Sequence, residues 1–205
     1  MSARAPDKTR QELDRLLAER NEHPERLAEI DREIWETFGE TRAVWVLDMC
    51  GFSRLTVRHG ITHFLAMIQR LHALVRPVVA AERGTVVKTD ADNVFASFDE
   101  VADAVAAARL VHERLRGANS ILPEDWDLHA SIGIGWGDVL LVGDDDFYGH
   151  ELNIASKLGE DVAGPGEIFV SEPAYRRAEA TGVRLAAERR EIPIAAVNLV
   201  AYRLV

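Results

Sequence analysis

The chain has 205 residues, a hydrophobic share of 47%, and 24 basic against 34 acidic residues, for a net charge of −10. That length fits one domain with an appendage, and the apolar share is sufficient for a buried core. The negative balance argues against nucleic-acid or anionic-membrane binding, so a polyanionic ligand would need local help from metal ions.

Cys50 is the single cysteine. An internal disulfide is therefore excluded, and a reducing cytosol is the simplest location. Met1–Lys8 carries no apolar signal-peptide core. No uncharged apolar stretch approaches the roughly 18–20 residues of a membrane span. A soluble, cytoplasmic protein without membrane or nucleic-acid partners is expected.

In chain order, residues 1–40 read as an N-terminal helical extension. Leu13, Leu16 and Leu17, then Leu27, Ile30, Ile34 and Trp35, recur at three- and four-residue spacings, and Asn21-Glu22-His23-Pro24 divides them into two helices. Two readings stay open: an amphipathic pair packed on the domain, or a dimerising, signal-transmitting pair. Residues 41–205 then alternate β and α. Ala43–Leu47 predicts a buried strand. Ile61–Ala81 predicts a helix with Phe64, Leu65, Ile68, Leu71, Leu74 and Val75 on its apolar face and a kink at Pro77. Gly84–Lys88 and Val94–Phe98 predict a hairpin. Asp99 reads as the N-cap of a helix over Val101–Leu115 that Gly117 ends. Leu128–Gly135 and Asp138–Val142 predict a second hairpin, turning at the glycine-rich Gly133–Gly137, which opens no helix and so is not a phosphate loop. Leu152–Leu158 predicts a helix, Glu167–Val170 a strand, Glu172–Ala178 a short helix, and Val183–Glu188 and Val197–Leu204 the closing strands. The order β-α-β-β-α-β with additions indicates an elaborated ferredoxin-like α/β sandwich of the α+β class.

Two carboxylates stand out. Asp48 ends the run Ala43–Leu47, and Asp92 sits at the turn of the first hairpin. Carboxylates brought together at strand ends can hold two hard divalent cations, which in turn can carry a nucleoside triphosphate. The seven histidines are scattered without zinc spacing. Cys50 reads as a small core residue.

At these residues the chain resembles the class III nucleotidyl cyclases, the adenylyl/guanylyl cyclase catalytic domain, over roughly Arg42 to Val205. The motifs are Leu47-Asp48-Met49-Cys50-Gly51-Phe52, the hairpin Lys88–Phe98 with Lys88 four residues before Asp92, the segment Asp146–Lys157, and Gly164-Pro165-Gly166-Glu167-Ile168-Phe169-Val170-Ser171. The resemblance implies a fold of the class III cyclase type. It implies that Asp48 and Asp92 bind two divalent cations, Mg²⁺ or Mn²⁺, with Gly51 and Phe52 beside the substrate. It implies that Lys88 and Asp146 read the base, Asn153 orients the ribose, and Lys157 faces charge developing on the α-phosphate. An ammonium can donate to adenine N1 and a carboxylate can accept from its amino group, whereas guanine presents the reverse pattern, so ATP is the expected substrate. The family's site is shared between subunits, which implies a homodimer.

Four departures accompany the match. Lys157 stands where the family has Arg, which loses the bidentate fork. Ala91 replaces a glycine before the second metal Asp. The span from Gly135 to Asp146 is short, trimming the family's projecting hairpin. No clear basic residue for the terminal phosphates stands at Ile192–Ala196, where Arg189 or Arg190 are weak substitutes. The sequence therefore supports a soluble adenylate cyclase producing cyclic AMP for signalling. A cyclase-homology regulatory module, or a cyclase of another nucleoside triphosphate, is the alternative.

Overall fold

The computed structural model describes residues 8–51, 57–143, 145–194 and 197–205. Helices α1 (Arg10–Glu22) and α2 (Leu27–Phe38) lead into β1 (Gly39–Met49). Then follow α3 (Ile61–Ala81), β2 (Thr85–Asp90), β3 (Asn93–Phe98), α4 (Val101–Asn119), β4 (Ala130–Val142) and β5 (Asp146–Tyr148). The chain closes with α5 (His150–Ser156), which runs into a π-helical turn at Lys157–Val162, and with β6 (Ile168–Ser171), α6 (Glu172–Ala180), β7 (Ala187–Ile194) and β8 (Val197–Leu204).

The strands form one sheet in the order β2-β3-β1-β4-β6-β8-β7, with β5 paired to β4. The first four strands have the ferredoxin-like order, antiparallel throughout, and β6 joins β4 in parallel. The mixed α/β expectation is met.

Strand β1 shows why the fold is a sandwich. Residues 43–47 are all buried, because alternate side chains enter different cores. Ala43, Trp45 and Leu47 join the large cluster under α3, α4 and α6, while Val44 and Val46 join Val139, Phe147, Leu152 and Ala155 on the opposite face. Helix α3 is long and apolar enough, by length and composition, to cross a membrane. Here it lies on the sheet, with Phe64, Met67, Leu71 and Val75 buried and Leu65 facing outward, and it continues through Pro77.

The second predicted hairpin is not formed. β4 is one thirteen-residue strand that pairs with β1 from Gly39↔Leu140 to Met49↔Ala130. Its glycines make room for α5 rather than a turn. A Cβ on Gly133 would lie 2.0 Å from the Ala155 carbonyl oxygen, and one on Gly135 2.7 Å from that of Glu151. The reversal comes later, at Gly143 (φ +57), which leads into the short strand β5.

Other boundaries differ for local reasons. Asp99 pairs with Arg42 instead of capping α4, whose N-cap Glu100 makes no side-chain capping bond, and α4 passes Gly117 to reach Asn119. The penultimate strand begins at Ala187, not Val183.

The N-terminal helices pack on the domain. Leu13, Leu16, Ile30, Ile34 and Phe38 form a satellite core with Val142. Leu17, Leu27 and Trp35, assigned to the apolar stripe from their spacing, remain largely exposed.

Candidate active site

Asp48 stands near the end of β1, opposite Ser131 of β4. The backbone then turns at Gly51, whose φ of +96 suits a residue without a Cβ. Phe52 lies outside the described residues. Asp92 occupies the two-residue turn between β2 and β3, where Asp90 pairs with Asn93. Both carboxylates are partly buried, and the two are electrostatically coupled. Burial, then Asp92, Glu160 and Asp161, push Asp48 up to about 7. Burial and Asp90 likewise raise Asp92. Burial, Asp161, Asp92 and Asp90 raise Glu160.

This is a concentration of negative charge that a divalent cation would relieve, and an oxygen-only donor set suits Mg²⁺ or Mn²⁺. Among the described residues no group of three or more His, Cys, Asp or Glu is arranged to hold a metal ion. Cations on Asp48 and Asp92 would therefore need further oxygens from water or phosphate. Neighbouring Cys50 is half-buried, 3.4 Å from the Ser131 hydroxyl, and burial raises its thiol pKa.

The turn before Asp92 carries strain. Ala91 has φ +48, a left-handed conformation that costs an L-residue about 1–2 kcal/mol. Ala91→Gly should therefore raise stability by about 0.5–1 kcal/mol once the greater freedom of glycine in the unfolded chain is deducted. Urea denaturation would measure it.

Lys88 and Asp146, distant in sequence, meet directly. The Lys88 ammonium donates to Asp146 Oδ1 at 2.8 Å and lies 5.2 Å from the centre of the Phe95 ring. Asp146 Oδ1 also accepts from the Phe147 amide at 2.9 Å, and Oδ2 accepts from the Tyr148 hydroxyl at 2.7 Å. Burial alone would raise this carboxyl, but the hydrogen bonds from Lys88, Tyr148, Phe147 and Arg10 outweigh it and hold it at about 2. Asp146 is thus ionised at any physiological pH.

Asn153 is exposed on α5, and the Lys157 amide bonds to its carbonyl, so the two side chains are one turn apart as the sequence implied. The Lys157 ammonium donates to Asp161 Oδ2 at 2.5 Å. Glu151 fastens α5 to the sheet, accepting from the Trp136 amide at 3.2 Å and the Ser171 hydroxyl at 2.9 Å. On the last hairpin, Arg189 pairs with Glu191 and Arg190 with Glu188.

Two residues of the site escaped the sequence reading. Tyr148 follows Asp146 by two on a strand, so strand periodicity would have placed it on the same face. Arg10, which donates to Asp146 Oδ2 at 2.6 Å, lies 136 residues away and left no local signal.

Known cyclases resemble this chain in sequence and in fold. A protein of Rhizobium meliloti (strain 1021) named "Putative adenylate cyclase 3" is 30% identical over 130 residues, 63% of this chain. Those residues span 22% of that relative's length. The adenylate/guanylate cyclase/hydrolase of Silicibacter pomeroyi superposes with a TM-score of 0.69 at 25% identity, covering 82% of this chain and 97% of that one.

The chain is similar in sequence and fold to class III nucleotidyl cyclases.

The fold is shared with guanylyl and adenylyl cyclases alike. The guanylate cyclase domain of RhGC from Catenaria anguillulae, solved with GTP, superposes at TM-score 0.68 and 16% identity over 81% of this chain and 96% of its own. The adenylyl cyclase CyaB of P. aeruginosa does so at 0.65 and 20%, over 82% and 95%. No family model matches the chain.

Proposed function

We propose that this domain is an adenylate cyclase that converts ATP to 3′,5′-cyclic AMP and pyrophosphate at a homodimer interface. The observation that carries this reading is the Lys88–Asp146 contact, a donor beside an acceptor at 2.8 Å. That order complements adenine, whose N1 accepts and whose amino group donates, and it mismatches guanine.

In the reaction the ribose 3′-oxygen bonds to the α-phosphorus, the bond from that phosphorus to the bridging oxygen breaks, and pyrophosphate leaves. Asp48 and Asp92 would hold two divalent cations, Mg²⁺ or Mn²⁺, which when bound acidify the 3′-hydroxyl and neutralise the triphosphate. Lys88 and Asp146 orient the base, so the ribose is presented in one rotation. Asn153 steadies the ribose ring. Lys157 supplies positive charge to the α-phosphate, which requires it to exchange Asp161 for substrate. Gly51 would line the triphosphate side.

The exposure of Asn153 on α5 supports a site completed across two subunits. In that arrangement one protomer supplies the metal carboxylates and its partner supplies Asn153 and Lys157. Mixing Asp48→Ala chains with Asn153→Ala chains should then restore activity that neither has alone, towards one quarter of wild type if subunits reassort at random, since one intact site forms per heterodimer. Failure to recover activity, with subunit exchange verified by mass spectrometry of labelled chains, would rule out the shared site.

The test of the reaction itself is incubation with each nucleoside triphosphate and Mg²⁺ or Mn²⁺, with cyclic product read by mass spectrometry. Cyclic AMP from ATP supports the proposal. A different cyclic nucleotide overturns the assignment of Lys88 and Asp146. The Lys157–Asp161 pair favours one competing reading, a regulatory module in which the basic residue is spent on structure. No product from a folded dimer would establish that reading.

A further inference from the structure

Asp146 has no acceptor site left for a base. Its Oδ1 accepts from Lys88 and from the Phe147 amide, and its Oδ2 accepts from Tyr148 and, at 2.6 Å, from Arg10 Nη2. A carboxylate offers about four lone-pair sites, and all are filled. An adenine amino group must therefore displace one of these donors.

The four donors differ in how easily they leave. The Phe147 amide is fixed by the backbone next to Asp146. Lys88 is the donor that the base itself needs. Tyr148 shares the short strand β5 with Asp146 and moves with it. Arg10 alone comes from another layer of the protein, and its side chain is 49% exposed, so water can solvate it when it departs.

Arg10 is nevertheless delivered there by built structure. It is the first residue of α1, whose N-cap Thr9 accepts from the Glu12 amide at 3.3 Å. Lys8, just before, pairs with Glu40 of β1. Leu13 and Leu16 seat the helix against Phe38 and Val142. The guanidinium also lies 5.3 Å from the centre of the Tyr148 ring, a cation–π contact with the residue that shares Oδ2.

We propose that Arg10 is a latch on the base pocket: it occupies the position on Asp146 Oδ2 that the substrate amino group takes, so helix α1 and the nucleotide compete for one atom. The inference rests on the adenine reading of Asp146 given above. By linkage, whatever draws α1 away from β5 raises nucleotide affinity, and bound nucleotide loosens α1 to the same degree.

The test uses the full chain as wild type, Arg10→Ala and Arg15→Ala. Arg15 is the control on the same helix, paired among the described residues with Glu12, Glu19 and Glu33. Calorimetry with 3′-deoxy-ATP and Mn²⁺, which binds without cyclising, gives Kd, and turnover of ATP gives KM. Arg10→Ala should tighten both by about two- to tenfold, the range expected for releasing one partly exposed charge-assisted hydrogen bond. Arg15→Ala should leave both unchanged, and thermal melts of the three proteins verify folding. Mere loss of a positive charge would weaken binding of a triphosphate, so the sign of the change is decisive.

Unchanged or weaker binding in Arg10→Ala, with wild type cyclising ATP, overturns the latch and leaves the adenylate cyclase reading intact. Activity or binding that emerges only in Arg10→Ala supports the latch in its strongest form. If neither protein binds 3′-deoxy-ATP or cyclises ATP, the adenine reading falls and the latch falls with it.

Discussion

Asp48→Asn should lower cyclase activity on the order of 10³-fold and at the same time stabilise the metal-free protein. The loss follows from removing one of two carboxylates that would hold the cations, since asparagine keeps the shape but not the charge. The gain follows from the electrostatics around Asp48. Burial and the neighbouring Asp92, Glu160 and Asp161 raise Asp48 from an ordinary 3.8 to about 7. The folded state therefore holds the proton more tightly than the unfolded chain. Below about pH 4 both states are protonated and the group is neutral in the balance. As pH rises from about 4 to about 7, the unfolded chain ionises freely while the folded one resists, and stability is lost across that window. Asparagine never ionises, so the variant should be more stable than wild type above pH 7. Allowing for solvent screening at a half-buried carboxylate, the difference is about 1–2 kcal/mol. Urea titrations at pH 4 and pH 8 in EDTA, repeated with Mn²⁺, measure it. Equal pH slopes for the two proteins would show that Asp48 carries no such strain. Mn²⁺ should stabilise the wild type and leave the variant largely unaffected.

Gly133→Ala should destabilise the domain by about 3 kcal/mol or more. The new methyl would fall 2.0 Å from the Ala155 carbonyl oxygen and 2.6 Å from the Gly159 amide nitrogen. Both are backbone atoms, so no rotamer change relieves the clash, and α5 with its π-helical turn must lift from the sheet. That movement would carry Asn153 and Lys157 with it, so activity should fall beyond the loss of folded protein. Gly117→Ala is the matched control: nothing lies within 4 Å of the added carbon on the exposed face of the last turn of α4, so stability should hold or rise. Thermal melts of the two variants against wild type separate the effects, and a Gly133→Ala protein melting within a degree or two of wild type would show that the close approach of α5 is not required.

Much of the fold was legible because period and punctuation are local properties. The buried run at Ala43–Leu47, the apolar face of Ile61–Ala81 and the turn between Lys88 and Asn93 follow from side-chain spacing, and the structure has all three elements. The glycines of β4 misled because the sequence shows only that a Cβ is missing. A turn and a crossing helix leave the same mark, and the approach of Glu151 and Ala155 across the sheet exists only in three dimensions. Leu17, Leu27 and Trp35 have helical spacing too, but α1 and α2 bury only the stripe that faces the satellite core, and these residues fall outside it.

The candidate site divides in the same way. Asp48, Asp92, Lys88, Asp146, Asn153 and Lys157 could each be named from short motifs, because a residue type at a fixed spacing is a property of the chain. Their electrostatic state could not be. Whether a carboxyl is raised, as in Asp48, or held at about 2, as in Asp146, depends on burial and on charges brought in from remote segments. The sequence alone thus determined the candidate chemistry of this protein, many of its strands and helices, and the family it resembles. Only the tertiary structure decided which donors fill Asp146 and that one of them is Arg10, because a hydrogen bond between residues 136 positions apart leaves no periodic trace in the chain.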